Sequence, residues 1–258
     1  MQDLKVTIIQ SDLVWENPEQ NLASFSEKID AIKEETDLIV LPEMFTTAFT
    51  MNAKDLAETD NGQTLQWMIN KAKDKKTDLI GSLIIKEDNS YFNRLYWVKS
   101  DGKFEHYDKR HLFRMAGEHN IYSPGKNKII NTTKGWRILP LICYDLRFPV
   151  WSRGKNDFDL IVFIANWPER RSSHWRLLLK ARAVENQAYA IGVNRVGKDG
   201  LDIEYRGDSA VIDPLGKVLK QESHIEFIHT ETLPWKKLDD YRNKFPVWKD
   251  ADSFKIDE

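Results

Sequence analysis

The chain has 258 residues, 30% of them charged, and its 38 Lys and Arg against 40 Asp and Glu leave a formal net charge of -2. That balance excludes the basic footprint of a nucleic-acid or anionic-membrane binder, and no uncharged apolar stretch approaches the ~18 residues of a membrane span. The lone cysteine cannot form an internal disulfide, so the chain reads as a cytoplasmic protein whose partner is a small molecule, built as one large α/β domain over 1–258.

The first residues, MQDLKVTIIQ, pass directly into a strand pattern over 4–10, without the basic and long apolar segments of a secretory leader. Residues 17–35 read as a helix, with Asn17 before Pro18 as its start and Leu22, Phe25, Ile29 and Ile32 on one side. DLIVLPE (37–43) is an apolar strand broken by Pro42 and ended by Glu43. A second helix is expected over 63–76, then strands over 78–85 and 94–98, then a short strand in FEHYDKRHLF (104–113) that leads into Asp108-Lys109-Arg110-His111. WRILPLIC (136–143) is another apolar strand, followed by a short helix over 146–154. DLIVFIAN (159–166), a helix over 173–187, a strand over 188–196 and a hairpin around the Pro-Leu-Gly turn of 208–219 complete the alternation.

Several of these strands are apolar almost throughout, the pattern of a sheet covered on both faces, and their alternation with helices predicts sheets flanked by helices. No repeat or Gly/Ser linker marks a domain boundary. The tail from residue 244 carries Phe245, Val247, Trp248 and Phe254, too much apolar surface for a free end, and is expected to dock on the core or at a subunit interface.

Cys143 ends its strand and precedes a helix, a position that favours thiolate, although a cysteine picked at random is most often a small buried hydrophobe. A nucleophilic thiol needs a base and a group to hold the oxyanion. The base is sought among six histidines (His106, His111, His119, His174, His224 and His229) or in Glu43, which ends its strand as Cys143 does. Lys109 ends a third strand, so a carboxylate, a cation and a thiol stand where α/β proteins gather their functional groups. No His/Cys set has metal-ligand spacing, and no glycine-rich phosphate loop occurs in the right context, so no metal or cofactor is expected.

At these residues the chain resembles the carbon–nitrogen hydrolase (nitrilase) superfamily, whose three signature segments are matched in order by LPEMF (41–45), YDKRHLF (107–113) and CYDLRFP (143–149). Within it the chain is most similar to the bacterial omega-amidase branch, through LPEMFTTAF, KRHLFRMAGEH, CYDLRFPVWSR, ANWPERR, ARAVENQAY and GVNRVGKDG. The resemblance implies a four-layer α-β-β-α sandwich, a homodimer, a Glu43–Lys109–Cys143 triad and a second glutamate, Glu118, ahead of the SPG turn. It also implies hydrolysis of the terminal amide of a small dicarboxylic monoamide such as 2-oxoglutaramate or 2-oxosuccinamate through a thioester. The alternatives are another substrate of the same chemistry (a nitrile, an N-carbamoyl amino acid, an aliphatic amide), a non-catalytic binding protein of the same fold, or a redox-sensing thiol.

In such a reaction the backbone N–H of Tyr144 would join Lys109 at the oxyanion, and an arginine would anchor the distal carboxylate. Arg147 is favoured over Arg170 and Arg171 for that anchor. Phe45, Phe113 and Trp167 adjoin the strand ends and are expected, with Tyr144, to wall the pocket.

Overall fold

The apolar runs become the strands of two sheets packed face to face in the computed structural model, which describes residues 1–256. In chain order the first half holds β1 (Leu4–Gln10), α1 (Pro18–Asp30), β2 (Leu38–Val40), α2 (Ala53–Leu56), α3 (Gln63–Lys75), β3 (Asp78–Glu87), β4 (Ser90–Val98) and β5 (Phe104–Asp108). The second half holds β6 (Asn131–Thr133), β7 (Trp136–Ile142), α4 (Pro149–Ser152), β8 (Leu160–Ala165), α5 (Ser172–Asn186), β9 (Tyr189–Asn194), β10 (Val196–Lys198), β11 (Glu204–Ile212), β12 (Val218–Ser223), β13 (Phe227–Leu233) and α6 (Trp235–Lys244).

One sheet runs β13-β1-β2-β3-β4-β5, the other β10-β11-β9-β8-β7-β6 with β12 alongside β11. The centres are parallel, β1 with β2 with β3 and β7 with β8 with β9, and antiparallel strands flank them. Strand alternation sends Val6, Ile8, Leu38, Val40 and Ile80 inward against Ile138, Ile142, Val162 and Ile164 of the other sheet, in a shared core. The intervening Ile39, Leu41 and Leu79 face outward, under Phe25 and Ile29 of α1 and Leu65 and Met68 of α3. Trp175, Leu179 and Ala183 of α5 cover the second sheet, where Gly192 has no side chain because a Cβ there would collide with Leu179 and Trp175. The result is the four-layer α-β-β-α sandwich that the resemblance implies.

Local chemistry sets the boundaries. Asn17 caps α1 by accepting from the Gln20 N–H at 3.0 Å, with Pro18 at the first helical position. The helix stops at Asp30 rather than running to 35. Lys33, Glu34 and Glu35 have no apolar surface to cover and stay exposed, while Asp37 turns the chain back by accepting from the Lys5 N–H at 2.9 Å. The strand read over 37–43 is regular only to Val40. Leu41 N–H still reaches the Ile80 carbonyl at 2.8 Å, and Pro42 then has no N–H with which to continue the ladder.

The carboxyl-terminal segment begins with a helix that packs on the second sheet. What docks is α6, an element the sequence reading did not resolve: Leu238 is buried, and Arg242 donates to Asp159 Oδ1 at 2.6 Å, the Phe158 carbonyl at 2.7 Å and the Gln187 carbonyl at 2.8 Å. Beyond this helix, Val247 and Trp248 are half-buried on this chain, and Phe245 and Phe254 are 57% and 50% exposed. The last two residues of that tail lie outside the described residues. Among the described residues no helix is long and apolar enough to cross a membrane.

Candidate active site

Parallel strands deliver their carboxyl ends to one edge of each sheet, and the two edges coincide. Glu43 follows β2, Lys109 follows β5, Cys143 follows β7 and Asn166 follows β8. Lys109 Nζ lies 2.9 Å from Glu43 Oε1, 2.9 Å from Glu118 Oε1 and 3.1 Å from Glu118 Oε2. All three side chains are essentially inaccessible, at 1%, 0% and 0% exposure. Glu43 also accepts from Asn93 Nδ2 on Oε1 at 2.7 Å and from the Asn166 N–H on Oε2 at 2.8 Å. Cys143 Sγ sits against the Asn166 carbonyl at 3.9 Å.

The backbone at Cys143 is bent. Cys143 has φ 45°, a left-handed conformation that costs a residue with a Cβ about 1 kcal/mol. It opens a 3-10 turn, Cys143–Arg147, that α4 continues after Phe148, so the short helix read over 146–154 is two shorter pieces and the cysteine is inside the first turn.

Asp145 locks this turn to the lysine segment. Its buried carboxylate accepts from Tyr107 Oη at 2.7 Å, the Ile142 N–H at 3.0 Å, the His111 N–H at 3.0 Å and His111 Nδ1 at 2.8 Å. His111 is thereby committed to Asp145 and stacks on Phe148, 3.8 Å between centroids, rather than serving the thiol. Asn at position 145 would turn an N–H2 toward a shell of donors. Asp145→Asn is expected to lose ~2–4 kcal/mol of stability in denaturant unfolding and to lower kcat by more than tenfold as Lys109 and Cys143 lose their common anchor. Unfolding within ~0.5 kcal/mol of wild type would remove Asp145 from this role.

Burial and charge set the protonation pattern. Burial works to discharge Lys109, yet the carboxylates of Glu118 and Glu43 outweigh it and hold the ammonium well above the usual lysine range. Burial, reinforced by the Glu43 charge, raises Glu118, with Lys109 pulling the other way. The Cys143 thiol is pushed well above its ordinary value, first by burial and then by Glu43. This corrects the expectation of a helix-favoured thiolate: desolvation and a facing carboxylate dominate a turn of only five residues. The sulfur therefore rests as a thiol, facing the Glu43 side chain.

A cavity of about 470 Å³ opens onto Cys143 and Lys109. Phe113, Tyr144, Arg147 and Trp167 line it as the sequence suggested, together with Trp15, Phe49 and Tyr205. Phe45 does not. It is fully buried in the outer layer, packed edge-on against Phe25 at 5.4 Å and tilted against Trp67 at 5.7 Å, because two residues past Glu43 the chain has turned to the helix-covered face. The Arg147 guanidinium lies over Trp167 at 4.9 Å and donates to His174 Nδ1 at 2.9 Å. Arg171 lies over Phe113 at 5.1 Å, and burial together with the like charges of Arg170 and Arg147 lowers its proton affinity. Asn166 ends β8 just as Glu43 and Cys143 end their strands, so the strand-end rule would have found it. Asn93, in mid-strand, carries no such signal.

A buried glutamate, lysine and cysteine at the strand ends of a four-layer sandwich define a carbon–nitrogen hydrolase, and the chain belongs to that family, which matches residues 5–242. It is therefore an amidohydrolase-type enzyme. It is 47% identical to the omega-amidase YafV of Escherichia coli over 99% of this chain and all of that one. It is 32% identical to the 2-oxoglutaramate amidase of Bacillus subtilis, over 95% of this chain and 96% of that one. Among solved structures, a carbon–nitrogen hydrolase superfamily protein of Xanthomonas campestris with an arsenic adduct in its active site superposes with a TM-score of 0.97 at 40% identity, covering both chains fully.

Proposed function

We propose that this chain is an omega-amidase that hydrolyses small dicarboxylic monoamides such as 2-oxoglutaramate and 2-oxosuccinamate. The observation that carries the reading is the pairing of a buried Cys143–Glu43–Lys109–Glu118 cluster with a cavity whose wall holds Arg147, Arg170 and Arg171. The full-length likeness to the E. coli omega-amidase supports the same substrate class.

Glu43 takes the thiol proton as Sγ attacks the amide carbon, forming a C–S bond and placing negative charge on the former carbonyl oxygen. Lys109 carries three N–H bonds: one is directed at Glu43, and one shared between the two Glu118 oxygens leaves the third to turn to that oxygen alongside the Tyr144 N–H. Each such donor is worth about 3 kcal/mol in the transition state. Glu43 returns its proton to the departing nitrogen as the C–N bond breaks, and ammonia leaves. Water then attacks the thioester, with Glu43 accepting its proton, and the C–S bond breaks to release the acid and restore the thiol. Glu118 keeps Lys109 charged throughout.

The test is ammonia release from 2-oxoglutaramate against a panel holding a nitrile, an N-carbamoyl amino acid and an uncharged aliphatic amide. Turnover of the uncharged amide or the nitrile in preference to 2-oxoglutaramate would overturn the substrate assignment. Arg147→Met and Arg171→Met should each raise KM for 2-oxoglutaramate about 10- to 100-fold, the value of one charge-assisted hydrogen bond, and leave the uncharged amide unaffected. Equal losses on both substrates would assign the arginines to structure.

We also read the chain as a single catalytic domain working as a homodimer in the cytoplasm. A lone cysteine suits a reducing compartment. On the outer face of α5, Leu177 and Val184 are 67% and 47% exposed beside Leu215 at 59%, an apolar patch that suits a second copy.

A further inference from the structure

We propose that Asn93 is a positioning residue for the base: with the backbone N–H of Asn166 it forms a neutral cradle that holds the Glu43 carboxylate in place, turned toward the thiol as the anion that accepts its proton. The proposal rests on the reading of Glu43 as the general base.

Asn93 lies in the middle of β4 and is fully buried. Its Nδ2 donates to Glu43 Oε1 at 2.7 Å, while its carbonyl accepts from the Lys109 N–H at 3.0 Å. From the opposite sheet, Asn166 donates its N–H to Glu43 Oε2 at 2.8 Å and its Nδ2 to the Glu43 carbonyl at 2.5 Å. Each carboxylate oxygen thus meets one neutral N–H donor, and the two donors come from different sheets.

The side-chain oxygens of both asparagines are buried without a hydrogen-bond partner. An unpaired buried acceptor is costly, and leucine, close in shape, would avoid that cost at position 93. Stability of the strand therefore gives no reason for a carboxamide there. Donation to Glu43 does.

The charges around Glu43 show why neutral donors are needed. It faces Lys109 after β5, Cys143 after β7 and, through Lys109, Glu118 on the turn Glu118–Asn120; Tyr122 is also near, its phenol pushed up by burial and so uncharged. One ammonium is divided between two carboxylates. Asn93 and Asn166 supply further stabilisation of the anion without a second cation, which would oppose the proton transfer the base must make.

The variant to make is Asn93→Leu. The acid limb of its kcat/KM profile for 2-oxoglutaramate is expected to move up by ~1 pH unit, with kcat down roughly tenfold or more and KM within about twofold of wild type. The same upward move is expected in the pH dependence of Cys143 alkylation by iodoacetamide. That reaction forms a C–S bond with loss of iodide and breaks no amide C–N bond, so it tests the cradle even where 2-oxoglutaramate proves the wrong substrate. Asn93→Ser, which leaves room for a water to donate instead, should show a smaller shift and serves if the leucine variant does not fold. An acid limb that coincides with wild type in a folded variant overturns the proposal, and so does a loss that is equal at every pH, since a merely structural role would do that.

Discussion

Replacing Cys143 with alanine will abolish ammonia release, by at least ~10⁴-fold in kcat, and leave the chain folded. The loss is large because no other thiol exists to take over, and the described residues hold no hydroxyl in the contact set of Glu43 and Lys109. The fold should survive because alanine keeps the Cβ and hence the same left-handed backbone at φ 45°, with no new strain. What disappears is a buried thiol that ties down little, its sulfur lying 3.9 Å from the Asn166 carbonyl and facing Glu43. Mass spectrometry during turnover separates the roles further: wild type should carry an acyl adduct on Cys143 and the variant none. Residual turnover above ~1% in the alanine protein would dismiss the thioester route.

Lys109→Met should damage stability as well as activity. The lysine neutralises two carboxylates that are each 0% exposed, so its removal leaves Glu43 and Glu118 facing one another without a cation. Breaking a buried pair in this way costs about 3–5 kcal/mol. The damage will depend on pH, with a definite sign. Burial and the Glu43 charge already raise Glu118, and loss of Lys109 removes the opposing pull. A carboxyl whose folded-state value lies above its unfolded value binds more protons folded than unfolded, so its contribution is present below the unfolded value and is lost as pH rises through the folded one. The variant should therefore melt at a higher temperature near pH 5 than near pH 8, relative to wild type at each pH. A stability difference that is flat across that range would mean that the two carboxylates are not the groups left uncompensated.

These expectations depend on different amounts of tertiary information. Cys143 and Glu43 were legible because each follows an apolar run that stops abruptly, and parallel strands place such stops at one edge of a sheet. Lys109 was legible for the same reason, at the end of a shorter strand. Glu118 was not legible from pattern: it lies on a one-turn helix in an irregular segment, and only the resemblance pointed to it. Phe45 was misread because proximity in sequence to Glu43 says nothing of direction. Met44 has φ 43° and reverses the chain, which puts the ring under α1 and α3 instead of in the cavity.

Asn93 and Asp145 mark the limit of such reading. A polar residue inside a strand pattern usually faces solvent, and nothing local distinguishes Asn93 from that case. Its contact with Glu43 depends on β4 pairing with β3 and on a second sheet closing over Glu43 from the other side. Asp145 was visible as part of CYD, but its partners Tyr107 and His111 are 38 and 34 residues away.

By itself, then, the sequence determined the layered α/β class, the strand ends from which the chemistry comes and the identity of the thiol, because periodicity and chain breaks are local properties. Tertiary structure decided everything that depends on distance: that Lys109 bridges two carboxylates, that burial keeps the Cys143 sulfur protonated, that Phe45 is core and that Asn93 reaches Glu43. Hydrogen bonds and desolvation act over a few ångströms between residues far apart in the chain, and only the packing of the two sheets brings those residues within range.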